Sequence, residues 1–312
     1  MESSLITQGL KVSRIRRTLE ASGVLTNLDE ISNQLSIGPQ TSIETTSSAL
    51  EAATSTISLD LLRKMMLDEL ELFSHDDVYL PSVMPIESDI ANGISIFKDD
   101  NLSLSALCWN PIPLKLKKNK NAKGRKTISV NGEDISMRFL QSGSCVIEIW
   151  DTKPFERNEP LEQRMLPNSK LIRVEDGDTL TLEGGRHAIS IKSSDHPVII
   201  ISASTASTRT SVNAHYLEET GNLHSFTASE MRSSRIQSLS FLLCQLRYTR
   251  GAETIETLLN HPDHFVRWSL MRDLLALDSD RGILRLIEMS ERDAHPQVRE
   301  AARNSVKAME KK

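Results

Sequence analysis

One histidine stands where glycine turns and short strands meet. Residues 174–191 read VEDGDTLTLEGGRHAISI. Gly177-Asp178 marks a turn, TLTL a strand and Gly184-Gly185 a tight bend, and His187 opens the next strand. An imidazole in such a place can ligate a metal or exchange a proton with a ligand. Lys115 and Lys117 stand at i and i+2 in PLKLK, a spacing that puts both side chains on one face of a strand. Gathered with His187 and the adjacent Arg186, they would favour a small anion, a carboxylate or a phosphate. Glu133, Glu148 and Asp151 could supply a carboxylate, none at a telling spacing, and Glu148, in VIEIW, is taken as the pocket candidate.

Other chemistry is thinly represented. The chain has no HExxH, no GxSxG and no P-loop, so neither the zinc-protease helix, the nucleophile elbow nor the phosphate cradle is written into it. His196, His215 and His224 are scattered, and Pro262 puts His261 and His264 on a turn. Cys108, Cys145 and Cys244 are odd in number and widely spaced, which predicts reduced, buried thiols in a cytoplasmic protein. No residue is assigned a catalytic role. The run KLKKNKNAKGRK (115–126) carries seven basic side chains and could grip phosphates. It lacks the interleaved aromatics that stack single-stranded bases, so it reads as a solvated loop or a contact for an acidic partner.

Of 312 residues, 38% are hydrophobic and 25% charged, with a formal net charge of −5. That balance fits a globular chain of about two domains and gives no global attraction to nucleic acid or an anionic membrane. No apolar run reaches the ~18 residues of a membrane span, and Arg14, Arg16 and Arg17 break up any leader-like stretch.

Four regions follow from the pattern. Residues 1–58 are rich in Ser and Thr and read as a helical, loosely held segment, with a linker from Gly38 to Ser58. Residues 59–93 open with an amphipathic helix capped by Ser58, whose stripe is Leu59, Leu62, Met66, Leu70 and Phe73. Residues 94–205 hold short β-branched strands between Gly, Pro, Asn and Asp turns, the pattern of an all-β sandwich or barrel. Residues 228–312 are helical.

Two stretches of the helical region repeat. HPDHFVRWSLMRDLLAL (261–277) and HPQVREAARNSVKAM (295–309) place Val266-Arg267 and Val298-Arg299 at an offset of 32. Leu270 then matches Ala302, and Leu274 matches Val306. A helical pair repeating at this period stacks because one pair cannot bury its own stripe. These units resemble HEAT-like repeats of the phycobilisome-lyase type. The resemblance implies a surface for another protein, with Arg267, Trp268 and Arg299 as contact candidates. In such repeats the arginines usually bond neighbouring carboxylates or helix ends.

The stretch around His187 resembles the second conserved motif of the cupin family, and the resemblance covers residues 94–203. It implies an antiparallel jelly roll in which His187 points inward, and pairing of copies into a homodimer. Metal-binding cupins carry an earlier His-x-His after a proline. Here Pro113-Leu-Lys115-Leu-Lys117 would put two ammonium groups at those positions, and an ammonium has no lone pair for a metal. The expectation is therefore a multidomain α and β chain: a helical segment, a cupin-like β domain without metal or cofactor, and HEAT-like helices. It would serve as a non-catalytic adaptor whose β domain is a scaffold or a sensor of a small anionic ligand. The alternatives are a metal-dependent cupin enzyme of the oxygenase or isomerase type using His187, and a nucleic-acid-associated regulator using 115–126.

Overall fold

A computed structural model describes residues 14–36, 42–75, 84–87, 91–110, 126–155 and 164–310. Its helices and strands fall into three groups along the chain. First come α1 (Arg14–Ala21), α2 (Val24–Leu35), α3 (Ile43–Ser55) and α4 (Leu59–His75). Among the described residues twelve strands follow: β1 (Met84–Glu87), β2 (Ala91–Lys98), β3 (Leu102–Trp109), β4 (Thr127–Val130), β5 (Glu133–Gln141), β6 (Val146–Asp151), β7 (Lys170–Arg173), β8 (Thr179–Leu182), β9 (His187–Ser193), β10 (Val198–Thr208), β11 (Val212–Leu217) and β12 (Leu223–Ala228). The last group is α5 (Met231–Gln245), α6 (Ala252–Thr257), α7 (His264–Leu277), α8 (Ser279–Arg292) and α9 (Pro296–Glu310). No helix among the described residues is long and apolar enough to cross a membrane.

All strand pairings are antiparallel. One sheet runs β1-β2-β3-β10-β5-β8. The opposing layer is made of β12-β11-β4 and β7-β6-β9, with β4 beside β9. Strands β4, β5 and β6, and again β8, β9, β10 and β11, alternate between the two layers. This is the winding of a jelly roll. The strand region spans 84–228 and so exceeds 94–205 at both ends. Strand β11 is hard to read in sequence because Asn213 and His215 look like loop residues. In place they alternate with buried Val212, Ala214 and Tyr216.

The run VIIIS in β10 is apolar on both faces for a reason. Val198 and Ile200 enter the core between the layers, with Phe139 and Ile147. Ile201 and Ala203 face the other way, into a core shared with Leu28, Leu50 and Met65 of the N-terminal helices. Those helices form a third layer. The expected linker from Gly38 to Ser58 therefore contains a packed helix, α3. Ser42 caps it by accepting the Thr45 amide at 3.2 Å. Thr46, Thr54 and Ser55 donate their hydroxyls to carbonyls three or four residues back, which satisfies them without breaking the helix. Ala49 and Ala53, both buried, let it approach the sheet. The stripe expected on α4 also shifts. Leu62, Met65 and Glu69 are the buried face, because Glu69 accepts the Ile15 amide at 3.4 Å and Asp68 accepts the Thr18 hydroxyl. Leu70 and Phe73 are exposed.

A buried ion pair ties the β layers together beside His187. Asp134 accepts Arg209 Nε at 2.7 Å and the Gly184 amide at 2.8 Å, and its own amide donates to Thr205. The Gly184-Gly185 bend is forced by close approach. A Cβ on Gly184 would stand 2.2 Å from the Gly132 carbonyl, and one on Gly185 2.2 Å from Thr210 Cγ2. Gly185 also has φ +75°, a conformation that glycine adopts without strain.

In the C-terminal helices the 32-residue offset has a physical counterpart. Arg267 donates to the carbonyls of His261 and Pro262, and Arg299 to those of Asp293 and Ala294. Each guanidinium thus reaches back six and five residues. The turn amides match as well: Asp263 N–H bonds His261 Nδ1, and His295 N–H bonds Asp293 Oδ1. The equivalent positions are therefore His261 with Asp293 and Asp263 with His295, so the two His-Pro pairs are two residues out of phase. Leu270, Leu274 and Ala302 share one core.

Two stability predictions follow. Breaking a buried pair by removing one partner costs about 3–5 kcal/mol, so Asp134→Ala should lose about 3 kcal/mol in urea unfolding; an unchanged midpoint would remove the pair's structural role. Arg267, bidentate on Asp293 at 2.7 and 2.8 Å, should cost about 3 kcal/mol as Arg267→Ala. Arg299, bonded to neutral carbonyls only, should cost about 1 kcal/mol.

Candidate functional site

Between the β layers lies a cavity of about 430 Å³. Alternation puts His187, Ile189 and Ile191 of β9 on its wall, facing Glu133, Ile135 and Met137 of β5. Leu107 and Trp109 close it from β3, and Ser129 and Asn131 from β4 and the turn after it. The cavity is thus mostly apolar, with a polar end formed by Glu133, Glu183 and His187.

His187 reaches this wall in one defined protonation state. Its Nδ1 lies 2.9 Å from the amide nitrogen of Glu183. An amide can only donate, so Nδ1 holds a lone pair and the proton sits on Nε2. The His187 and Arg186 amides donate to the Glu183 carbonyl, which closes the turn around the ring. Burial pushes the His187 pKa down, with Arg186 adding to this and Asp151 and Glu183 opposing it. A neutral imidazole that spends Nδ1 on an amide and carries hydrogen on Nε2 has no lone pair left for a metal. Among the described residues no three His, Cys, Asp or Glu side chains gather as a metal site. Residues 111–125 contain none of these four types. Among the described residues the donor set does not fit the ion that metal-binding cupins hold.

Of the other pocket candidates, Arg186 and Glu148 do not line the cavity with His187. His187 Nε2 nevertheless lies 3.9 Å from the Asp151 oxygen that Arg186 holds, and Arg186 also reaches Glu183 at 3.3 Å. Arg186 turns outward, with Nε 2.7 Å from Asp151 Oδ1 and Nη2 3.1 Å from Oδ2. Glu148 lies on the opposite face of β6 from Ile147 and Ile149, where it meets Lys192 and the Ser169 hydroxyl. Both leave the pocket set, because β9 and the bend before it send neighbouring residues to opposite sides. Lys115 and Lys117 lie outside the described residues, as does the basic loop except Lys126. The charged groups on the described lining are acidic, Glu133 and Glu183. An anion would meet like charge there, so the expectation of an anionic ligand rests on the two lysines alone.

Two lining features escape a reading of sequence. Glu133 follows a plain Asn-Gly turn, and only the sheet shows that it faces the cavity. Burial pushes its carboxyl above the ordinary range, opposed by Lys98. Ser129 pairs across the strands with His215, its hydroxyl 2.8 Å from Nδ1, while Nε2 lies 3.3 Å from the Thr227 hydroxyl. Hydroxyls occupy both nitrogens of that ring, so no carboxylate orients it as a general base. Burial raises the Cys145 thiol to about 11, far from a reactive thiolate.

The partner-binding candidates also part company. Arg267 is 8% exposed and spends its donors on Asp293 and the turn carbonyls. Arg299 bonds its own turn. Arg267 is therefore corrected from a contact residue to an internal staple, whereas Arg299 is half-buried and commits only Nη1 to its turn. Trp268 differs: with Phe226, Phe241 and Phe265 it lines an open groove between β12 and the helices. Phe226 and Phe265 meet edge to face at 5.8 Å, which seats the helices on the β domain.

No family model matches this chain, and no curated protein does. Solved structures do. A cupin domain from Bordetella pertussis Tohama I is 11% identical, with 41% of this chain and 97% of that one covered, at a TM-score of 0.23. The cupin domain of Schizosaccharomyces pombe Cnp3 is 12% identical over 41% of this chain and 66% of that one, with a TM-score of 0.24. A sugar phosphate isomerase from a cupin superfamily of Silicibacter pomeroyi is 10% identical over 45% and 77%, with a TM-score of 0.25. At such identities and TM-scores these likenesses carry no chemistry over to this chain.

The His187 geometry sets a pH dependence. The folded pKa is depressed, so its contribution to stability is complete above the ordinary histidine value and is lost as pH falls below it. Protonating Nδ1 breaks the bond to Glu183, worth about 1 kcal/mol. Urea unfolding from about pH 8 down to about pH 5 should therefore destabilise the native chain more than His187→Asn. Parallel pH profiles would refute the assigned tautomer.

Proposed function

We propose that this protein is a non-catalytic adaptor. In this reading a HEAT-like helical domain engages another protein, and a cupin-like β domain acts as scaffold or small-ligand sensor. One observation carries the proposal: α5 turns an apolar face to solvent. Leu239, Leu242 and, at its C-cap, Leu246 are 62%, 52% and 74% exposed. Contiguous exposed apolar residues of this kind mark interaction surfaces. Phe241, 54% exposed, lies about 100–160° round the helix from these leucines and lines, with Gln237 and Ser238, the groove that contains Trp268, so the helix carries two separate apolar surfaces. Large aromatic side chains in such a place are the usual anchors of binding energy. The matched arginine staples of the two turns support the repeat reading of these helices. The state of His187 weighs against the metal-dependent enzyme.

The test is affinity capture from an extract of the source cells, comparing the native chain with Leu239→Asp/Leu242→Asp and with Trp268→Ala. A protein retained by the native chain should be lost at least about tenfold with the double variant, and weakened with Trp268→Ala. Equal capture by all three, each shown folded by circular dichroism, would remove the surface from the function.

A further inference from the structure

The β cavity is chemically lopsided. Glu133 lies on its wall, and among the described residues its carboxylate makes no hydrogen bond and no ion pair. Glu183, the other acid on the wall, is engaged by Arg186 at 3.3 Å. No lysine or arginine is among the described residues of the lining. Two residues beyond Glu133 on the same face stands Ile135, and two beyond His187 stands Ile189, so the acid looks down an apolar channel. Ser129 and Asn131 beside it supply oxygen acceptors. A carboxylate that faces a mostly apolar space without a partner is costly unless a ligand supplies the counter-charge.

We infer that this cavity takes a cationic amphiphile, a protonated primary amine on an apolar body, with Glu133 as its counter-ion. The inference rests on reading the β domain as a ligand-binding module and names the ligand class. The ammonium donates to Glu133 and to the neighbouring Ser129 and Asn131 oxygens. The apolar body lies along Ile135, Ile189 and Met137. A carboxylate of equal length is repelled by Glu133 and Glu183, and an alcohol hydrogen-bonds without the Coulomb gain. His187, neutral with its proton on Nε2, adds no competing charge. Burial is what raises the Glu133 carboxyl. Lys98 tempers it from outside the lining.

Isothermal titration of the full chain near neutral pH tests this with three probes of one chain length: octylamine, octanol and octanoate. Octylamine should bind at least about tenfold more tightly than octanoate, with octanol between them. Glu133→Gln, which removes a half-buried charge and so should fold at least as well, should erase the amine's advantage and leave octanol unchanged. Tighter binding of octanoate would overturn the ligand class while keeping the module, and would return attention to Lys115 and Lys117. Amine binding indifferent to Glu133→Gln would place the amine elsewhere and overturn the assignment. Binding of none of the three would overturn the ligand-binding reading itself.

Discussion

Asp134 is the constraint on which the β domain's working end depends. It is almost fully buried, and it gathers Arg209 from beyond β10, the Gly184 amide from the bend before β9 and the Thr205 hydroxyl from β10 itself. A buried carboxylate is tolerable only when its charge and lone pairs are answered. The fold answers them by drawing separate connections to one point. Glu133 is the next residue back along the chain. Glu183 and His187 flank the glycine bend that Asp134 holds. The polar end of the cavity is therefore positioned by an ion pair that takes no part in lining it.

The same logic explains the layering. The first half of β10, Val198 to Ile201, has no polar face to give to solvent, so something must cover each side. The opposing strands cover one side, and α2 and α3 with their neighbours cover the other. The helical layer in turn depends on small residues and self-bonded hydroxyls, which let α3 lie close to the sheet. Thr181 on β8 donates to Glu51 of α3 at 2.8 Å, so the edge of the sheet is tied to the helices as well. The C-terminal helices dock differently, through one aromatic contact between Phe226 and Phe265 and an open groove beside it.

Much of this was legible in the sequence, unevenly and for physical reasons. Strands such as Val146–Asp151 and Val198–Thr208 announce themselves, because β-branched runs between turn residues have few other uses. The inward direction of His187 was implied by the cupin resemblance of the stretch around it, and His187 lines the cavity. Its protonation state was not legible, because a tautomer is fixed by which hydrogen bond the backbone offers. Glu133 was visible as a carboxylate but not as a cavity group, since facing is decided by pairing with β8 and β10. Helix α3 was hidden because Ser and Thr signal loops unless each hydroxyl finds a carbonyl within its own turn. Arg267 and Arg299 were recognisable as a repeated pair, and the geometry assigns Arg267 inward. The basic stretch 115–126 remains a sequence feature, since all but Lys126 lies outside the described residues.

The arginine staples bear on how this chain can vary in length. Each guanidinium spans a fixed interval back to its own turn, six residues to one carbonyl and five to the next. The planar fork of the side chain meets two successive carbonyls, which ties it to one register. A residue inserted or removed between turn and arginine would leave the donors facing the wrong atoms. Insertions after the arginine's helix would be absorbed by the next loop. The two staples therefore act as gauges. Natural length variation in the helical region should collect between them and stay out of 261–267 and 293–299.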